Sequence, residues 1–465
     1  MSVAAGWRSA TTQLMIVGGL AFCGPGIFNA LQGLGAAGSD DPMVGAVASG
    51  CLYCTFAIFG YFGGAAFTFF GAKPLFTLGG LTFAIYAICI YFTSHWFFLA
   101  AVGGICLGIG AGLFWTAQGA LMMAYATPQN RGRMIALFWI LFNLGGMSGG
   151  VLQFGMNFNN TSRSANPLSY FSFVIVMLLG ACSAPFLLAP PDQVVREDGT
   201  HVAFEKPKTP WEEIVAAVQA IKDPFVVRCL PFFFASNWFY TYDFSGFNGT
   251  QFNIRTRGLN SALFWMAQML AAWLFGSILD SNLPARRRAW HGIVIVFFLQ
   301  AIPLALAYWI TVASDCGNGA GQGWDKGMPC RLDVVDDFPG VSYQMVVFFF
   351  LGAGDAVYQN FAYWLMSTAA GDNVTKTVAY SAIYKGVQSL GAGIAWLSDI
   401  PDSMTYRRQC LIAITITLGS MIPIIPTFKH LENEKKGATD LEDSTSESTA
   451  DESVDTSASN ETSSA

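Results

Sequence analysis

The sequence predicts an all-α polytopic membrane protein with about twelve transmembrane helices arranged as two six-helix bundles. Three observations carry the prediction. Of 465 residues, 53% are hydrophobic, 15% aromatic and only 12% charged, which is about half the charge of an average soluble domain. Apolar runs recur from residue 13 to residue 428, and each is long enough to cross the ~30 Å hydrocarbon core as a helix. The longest polar interruption before the tail, residues 190 to 224, divides those runs six and six.

Taken in order, the spans read as 13–34, 43–70, 75–93, 97–125, 134–156 and 169–189, then 225–246, 260–280, 291–313, 341–368, 378–398 and 408–428. The first begins near Gln13, after a short N-terminus containing Arg8, and lacks a small-x-small cleavage site. It is therefore expected to remain as a span rather than to leave as a signal peptide. The domain plan is an N-terminal segment 1–12, a bundle 13–189, a central loop 190–224, a second bundle 225–428 and an acidic Ser/Thr-rich tail 429–465. Residues 431 to 465 carry ten acidic and two basic side chains, so the net charge of −6 conceals a core of +2. That balance gives no reason to expect nucleic acid as a partner, and the tail reads as solvated and disordered.

An even number of spans with a cytoplasmic N-terminus puts the central loop and both termini inside. Lysine and arginine placement agrees in the main: Lys73, Arg131, Arg133, Lys206, Lys208, Arg286, Arg287 and Arg288 fall in loops assigned inside. Arg163, Arg255, Arg257, Lys326, Arg331 and the Arg407-Arg408 pair fall outside and are the exceptions. Sequons at Asn159, Asn160 and Asn248 lie in loops assigned outside and are N-glycosylation candidates, whereas those at Asn373 and Asn460 fall inside and are expected to be silent. Most of the ten cysteines sit in apolar runs and act as small hydrophobes. Cys316 and Cys330 share a glycine-rich polar loop and are the disulfide candidate.

Equivalent loops of the two halves carry related patterns. After the second span comes Gly64-x-x-x-Thr68-x-x-Gly71-Ala72-Lys73, and after the eighth Gly276-x-x-x-Asp280 with Leu283 and Arg286-Arg287-Arg288. The pair resembles the signature of the major facilitator superfamily, in which glycines allow close helix approach and acidic and basic groups latch the halves at the cytoplasmic side. Thr68 stands where that signature has an acid, and Leu283 where it has a second glycine. The gate candidates are Gly64, Gly71, Lys73, Gly276, Asp280, Arg286 and, from the turn after the fourth span, Arg131.

Within the fourth span Gly104, Gly108 and Gly112 recur every fourth residue, with Gly110 between them. Small residues at this spacing let a neighbouring helix come close, because packing drives helix association in lipid. Trp115-Thr116-Ala117-Gln118-Gly119 follows, then Arg131-Gly132, Phe138-Trp139 and Asn143-Leu144-Gly145. Together with Gly386-Val387-Gln388-Ser389-Leu390-Gly391 and Trp396, these segments resemble the uncoordinated-93-like (UNC-93-like) family, particularly its fungal members, over residues 13 to 428. The resemblance implies a major facilitator superfamily fold of two six-helix bundles. It implies no single activity, since members are linked to transport, to potassium-channel regulation and to trafficking of other membrane proteins. A multi-pass protein of the plasma membrane or a vacuolar or other endomembrane is what it leads one to expect.

Ionisable and amide residues inside the spans are the functional candidates, because a charge at a helix centre costs ~3 kcal/mol or more and usually faces a cavity or a partner. Asp355, Lys385, Gln388 and Gln118 are expected to line a central cavity, with Asp355 as the proton- or cation-responsive group; the alternative is that Asp355 and Lys385, within reach of an ion pair, only hold the second bundle together. Asp243, Asn143 and Asn360 complete the pathway candidates. Aromatic residues such as Trp238, Tyr240, Tyr358, Tyr363 and Trp364 offer either pocket walls or helix packing.

No enzyme motif competes. The four histidines (His95, His201, His291 and His430) are isolated, there is no Gly-x-x-x-x-Gly-Lys phosphate loop, and no cofactor or metal is expected. Two functional expectations remain: a gradient-driven facilitator of a small solute or ion working by alternating access, or a non-transporting protein that regulates a channel or escorts a membrane-protein partner.

Overall fold

The computed structural model describes residues 6–39, 41–127, 129–159, 166–202, 215, 218–314, 330–371, 373–400 and 404–432. Within them the chain forms twelve principal helical segments: α1 (Ala10–Gly33), α2 (Pro42–Phe70), α3 (Ala72–Tyr91), α4 (Leu99–Tyr125), α5 (Arg131–Met156) and α6 (Pro167–Leu187) in the first half. The second half contributes α7 (Pro224–Ala235), α8 (Ile254–Leu279), α9 (Ala285–Ala313), α10 (Ser342–Ala370), α11 (Val374–Leu397) and α12 (Tyr406–Gly419). Nine of these, among the described residues, are long and apolar enough to cross a bilayer unaided. The other three, α7, α11 and α12, are the short or more polar ones.

Helix starts are set by local chemistry that apolar runs do not reveal. Ser9, Asp41, Asn166, Asp223, Asn253, Asn373 and Thr405 each accept a hydrogen bond from a first-turn backbone N–H. Pro42, Pro167 and Pro224 take the first helical position, where no donor is lost. The eighth span consequently begins at Ile254 rather than near 260, and Arg255 and Arg257 lie in its first turn.

Two helices expected to be continuous are interrupted, and they are equivalent members of the two halves. α1 widens into a π turn at Phe22–Gly26, around Pro25, which lacks a backbone donor and cannot complete the ladder. The segment after α7 runs through a π helix at Thr241–Asn248. α12 is also shorter than the expected span, giving way to turns and a 3₁₀ segment at Ile425–Glu432.

The glycine stripe of α4 packs as its spacing predicts. A Cβ on Gly104, Gly108 or Gly112 would lie 2.3, 2.4 and 2.6 Å from the backbone of α2, while one on Gly110 would strike Thr82 of α3 at 2.0 Å. Contact between the bundles uses the same device: a Cβ on Gly150 of α5 would meet the Ala262 nitrogen of α8 at 2.5 Å, and one on Gly393 of α11 would meet the Cys54 nitrogen of α2 at 3.1 Å. Large side chains such as Phe186, Phe70 and Leu179 are turned outward and exposed, the arrangement expected where the surroundings are lipid.

The N-terminus and the central loop lie on one face. Ser9 bridges to Val195, Trp7 Nε1 donates to the Leu187 carbonyl, and Glu197 accepts from Thr11 and pairs with Arg133 at 2.7 Å. The hydrogen bonds from Asn130 and Thr11, together with the Arg133 charge, hold the Glu197 carboxyl below the usual range. Cys330 is disulfide-bonded, whereas Cys316 lies outside the described residues, as do Asn160 and most of the acidic tail.

Candidate functional site

Between the bundles lies a cavity of about 50 Å³. Its walls are chemically unequal. The first half supplies mostly apolar and aromatic surface, including Phe28, Phe56, Trp115, Trp139 and Phe142; the second supplies Asn237, Tyr240, Gln359, Lys385 and Gln388. Asp355 and Lys385 stand near the middles of α10 and α11, since the early start of α11 puts Lys385 about 16 Å from its end at 1.5 Å per residue.

The two charges do not form the ion pair the sequence allowed. They are joined instead through two amides. Lys385 Nζ donates to Gln388 Oε1 at 2.8 Å, Gln388 Nε2 donates to Gln359 Oε1 at 3.0 Å, and Gln359 Nε2 donates to Asp355 Oδ1 at 2.7 Å. An ammonium has no acceptor to offer, so it fixes the Gln388 oxygen towards itself. Every amide beyond then follows, and the chain is polarised from cation to carboxylate. Asp355 Oδ2 also accepts from Tyr240 Oη at 2.7 Å and Gln268 Nε2 at 2.6 Å. Three donors therefore satisfy a carboxylate that is 0% exposed, and the carboxylate stands behind Tyr240 and Gln359 rather than on the cavity wall.

Lys385 sits in an aromatic box, with Nζ 4.7 Å from the centroid of Trp115, 5.1 Å from Tyr384 and 5.3 Å from Tyr363. Ring faces attract a cation through their quadrupole. Trp115 belongs to the first half, so the box itself spans the interface. A second link is Trp139 Nε1, which donates to Gln268 Oε1 at 3.0 Å and thereby connects α5 to Asp355 through one side chain.

The remaining pathway candidates fall elsewhere. Gln118 is buried against its own helix, its Nε2 reaching Met122 Sδ at 3.4 Å, and it does not line the cavity. Asp243 in the π helix is buried, and among the described residues neither of its oxygens has a hydrogen-bond partner; the same holds for both amide atoms of Asn143 and for the Asn360 oxygen. Gln268 and Glu197 make contacts that the reading of spans did not anticipate. A lone amide in an apolar run was the available signal for Gln268.

Hydrogen-bonded clasps join the halves on both faces. On the face of the central loop, Asp280 accepts from the Gly132 and Arg133 nitrogens, both at 2.6 Å, capping the N-terminus of α5, where a helix favours negative charge. Burial pushes the Asp280 carboxyl up, opposed by those two N–H groups. Gly132 and Gly276 make this approach possible, since a Cβ on either would lie within 2.8 Å of the other's carbonyl. Arg131 Nη2 donates to the Gly371 carbonyl at 3.0 Å. The first-half copy has no carboxylate: Thr68 Oγ1 bonds back to Gly64 O, Gly64 faces Val378 and Ala382 of α11, and Gly71 ends α2 at φ 75°. Lys73 and Arg286 are half-buried, while Arg288 reaches the Leu279 carbonyl at 2.7 Å and lies over Trp364.

On the opposite face, Asn248 Nδ2 donates to Gly33 O at 2.8 Å, Arg255 Nη1 to Phe158 O at 3.1 Å and Arg257 Nη1 to Leu34 O at 3.5 Å. Asp333 and Asp336 hold the Arg255 guanidinium. This corrects one glycosylation candidate: Asn248 is buried with its amide held between Gly33 and Asn260, so the fold leaves no room for a glycan there. Asn159 is exposed.

Known proteins agree with this architecture. The family model described as Major Facilitator Superfamily matches residues 14–396. UNC93-like protein 1 of Arabidopsis thaliana is 36% identical over 435 residues, covering 92% of each chain. An UNC93-like protein of Schizosaccharomyces pombe is 34% identical over 430 residues, covering 90% of this chain and 82% of its own. The solved structure of the xylose transporter XylE from E. coli, in a partially occluded inward-open conformation, superposes with a TM-score of 0.57 at 12% identity, covering 89% of this chain and 96% of that one. The chain is thus an integral multi-pass membrane protein that belongs to the major facilitator superfamily and, within it, to the UNC93-like proteins.

Proposed function

We propose that the protein is a facilitator-type transporter that moves a small solute by rocking its two bundles about the central cavity. The observation that carries this reading is a cavity lined from both halves, with hydrogen bonds that cross between the halves on the central-loop face and on the opposite face. Such contacts can be exchanged one face at a time, which is what alternating access requires. With no nucleotide-binding motif in the sequence, any concentrative movement would draw on an ion gradient. The N-terminus, central loop and tail are assigned to the cytoplasm, in line with the lysines and arginines of those segments.

The test is uptake by vesicles containing the purified full-length protein, offered a metabolite mixture under imposed proton and potassium gradients. Mass spectrometry of the vesicle contents should show at least one solute accumulating saturably above empty vesicles. No flux of any solute, combined with stable co-purification of one membrane protein, would replace this reading with that of a channel regulator or escort.

A further inference from the structure

We infer that the central cavity is a binding site for a short-chain organic monocarboxylate, held at its charged end by Lys385 and along its apolar end by aromatic walls. This inference rests on the transport reading and names the class of solute.

Four observations converge. First, among the described residues lining the cavity, Lys385 is the one with a formal charge. Second, Lys385 is buried, 3% exposed, and among the described residues its ammonium donates to one oxygen, that of Gln388. The rings of Trp115, Tyr384 and Tyr363 surround the charge without offering a lone pair. An ammonium has three donors, so N–H groups remain to meet an anion at a buried position, where a charge-assisted bond is strong. Third, the carboxylate that might have received a cationic solute is already engaged. Asp355 accepts from Tyr240, Gln359 and Gln268, and the first two stand between it and the cavity. Fourth, the facing wall is mostly apolar and the space is about 50 Å³, which suits a few heavy atoms with a hydrocarbon end better than a sugar or a dicarboxylate.

The probe is radiolabelled propionate, measured by equilibrium binding to the purified full-length protein in detergent. Binding should be saturable, and displaced by unlabelled propionate but not by the same concentration of its neutral isostere propionamide or of ethylammonium. Lys385→Gln should weaken it by at least about tenfold, as loss of a charge-assisted hydrogen bond requires, while Lys385→Arg should retain most of it. Displacement by propionamide or ethylammonium as effective as by propionate would overturn the inference, as would the absence of saturable binding. If Lys385→Gln fails to fold, the wild-type competition decides alone. Vesicles that move other solutes while propionate fails to bind would sink the carboxylate class and leave transport standing. Saturable propionate binding with no flux of any solute would keep the site and overturn transport.

Discussion

At the scale of single residues, Asp355 is the most consequential position because its charge gathers three donors, Tyr240 from the segment after α7, Gln268 from α8 and Gln359 from its own helix α10. Asp355→Asn would substitute an N–H donor for one carboxylate oxygen and set it against Tyr240, Gln268 or Gln359, each of which donates to Asp355. One buried donor left without an acceptor costs about 1–3 kcal/mol, so the variant should fold with a lowered melting temperature and lose most solute uptake. Unchanged uptake at normal surface delivery would remove Asp355 from the mechanism. By contrast, Asp243→Asn breaks no hydrogen bond among the described residues, and its melting temperature should stay closer to that of the parent than that of Asp355→Asn. The sequence made Asp355, Lys385 and Gln388 legible, because a charge or amide inside an apolar run is conspicuous whatever its surroundings. It misplaced Gln118 for a related reason: a span that is apolar all round gives depth along the helix but not the direction a side chain points. The amide chain was not legible, since it depends on the mutual rotation of α10 and α11.

At the scale of helices, the interfaces rest on glycines facing backbone, which cannot yield as a flexible side chain can. Gly150→Ala would put a methyl 2.5 Å from the Ala262 nitrogen, forcing α5 from α8 at a cost of about 1–3 kcal/mol. Reduced yield of monodisperse protein in detergent is the expected readout, whereas Gly155→Ala, which would meet open space, should be silent. The clasp on the loop face also has a pH signature. Burial holds the Asp280 carboxyl above the ordinary value, so the folded chain binds that proton more tightly than the unfolded one. Its contribution therefore makes the fold less stable as pH rises from the ordinary carboxylate value through the raised one. Glu197 is lowered by its hydrogen bonds, so its stabilising contribution is present above the ordinary value and is lost only further into acid. Mild acidification from neutral pH thus meets the Asp280 window first: the melting temperature should rise, and Asp280→Ala should flatten that rise. The glycine stripes and the second-half clasp were readable from spacing and motif. The π turns in α1 and after α7 were not, because backbone geometry at Pro25 and Thr241–Asn248 leaves no hydropathy trace.

At the scale of the whole molecule, the halves are clasped on both faces by contacts of different chemistry, and that difference should let each face be loosened separately. The loop-face clasp depends on Asp280 and Arg131 against backbone of the other half. The opposite clasp depends on Asn248, Arg255 and Arg257, with Asp333 and Asp336 anchoring Arg255. A cysteine introduced at Asn237 on the cavity wall, in a background whose free cysteines are replaced, reports which route is open to a membrane-impermeant thiol reagent. The parent should label slowly from either side of oriented vesicles. Asp280→Ala with Arg131→Ala should speed labelling from the loop face alone, and Arg255→Ala with Asn248→Ala from the opposite face alone, by about tenfold or more if each clasp contributes the 1.4 kcal/mol that shifts an equilibrium tenfold. Labelling that rises equally from both sides would mean that the variants loosen the bundles rather than rock them. Two six-helix halves meeting at a cavity would then be a scaffold without a transport cycle, and the regulatory reading of the family would gain what the transport reading lost.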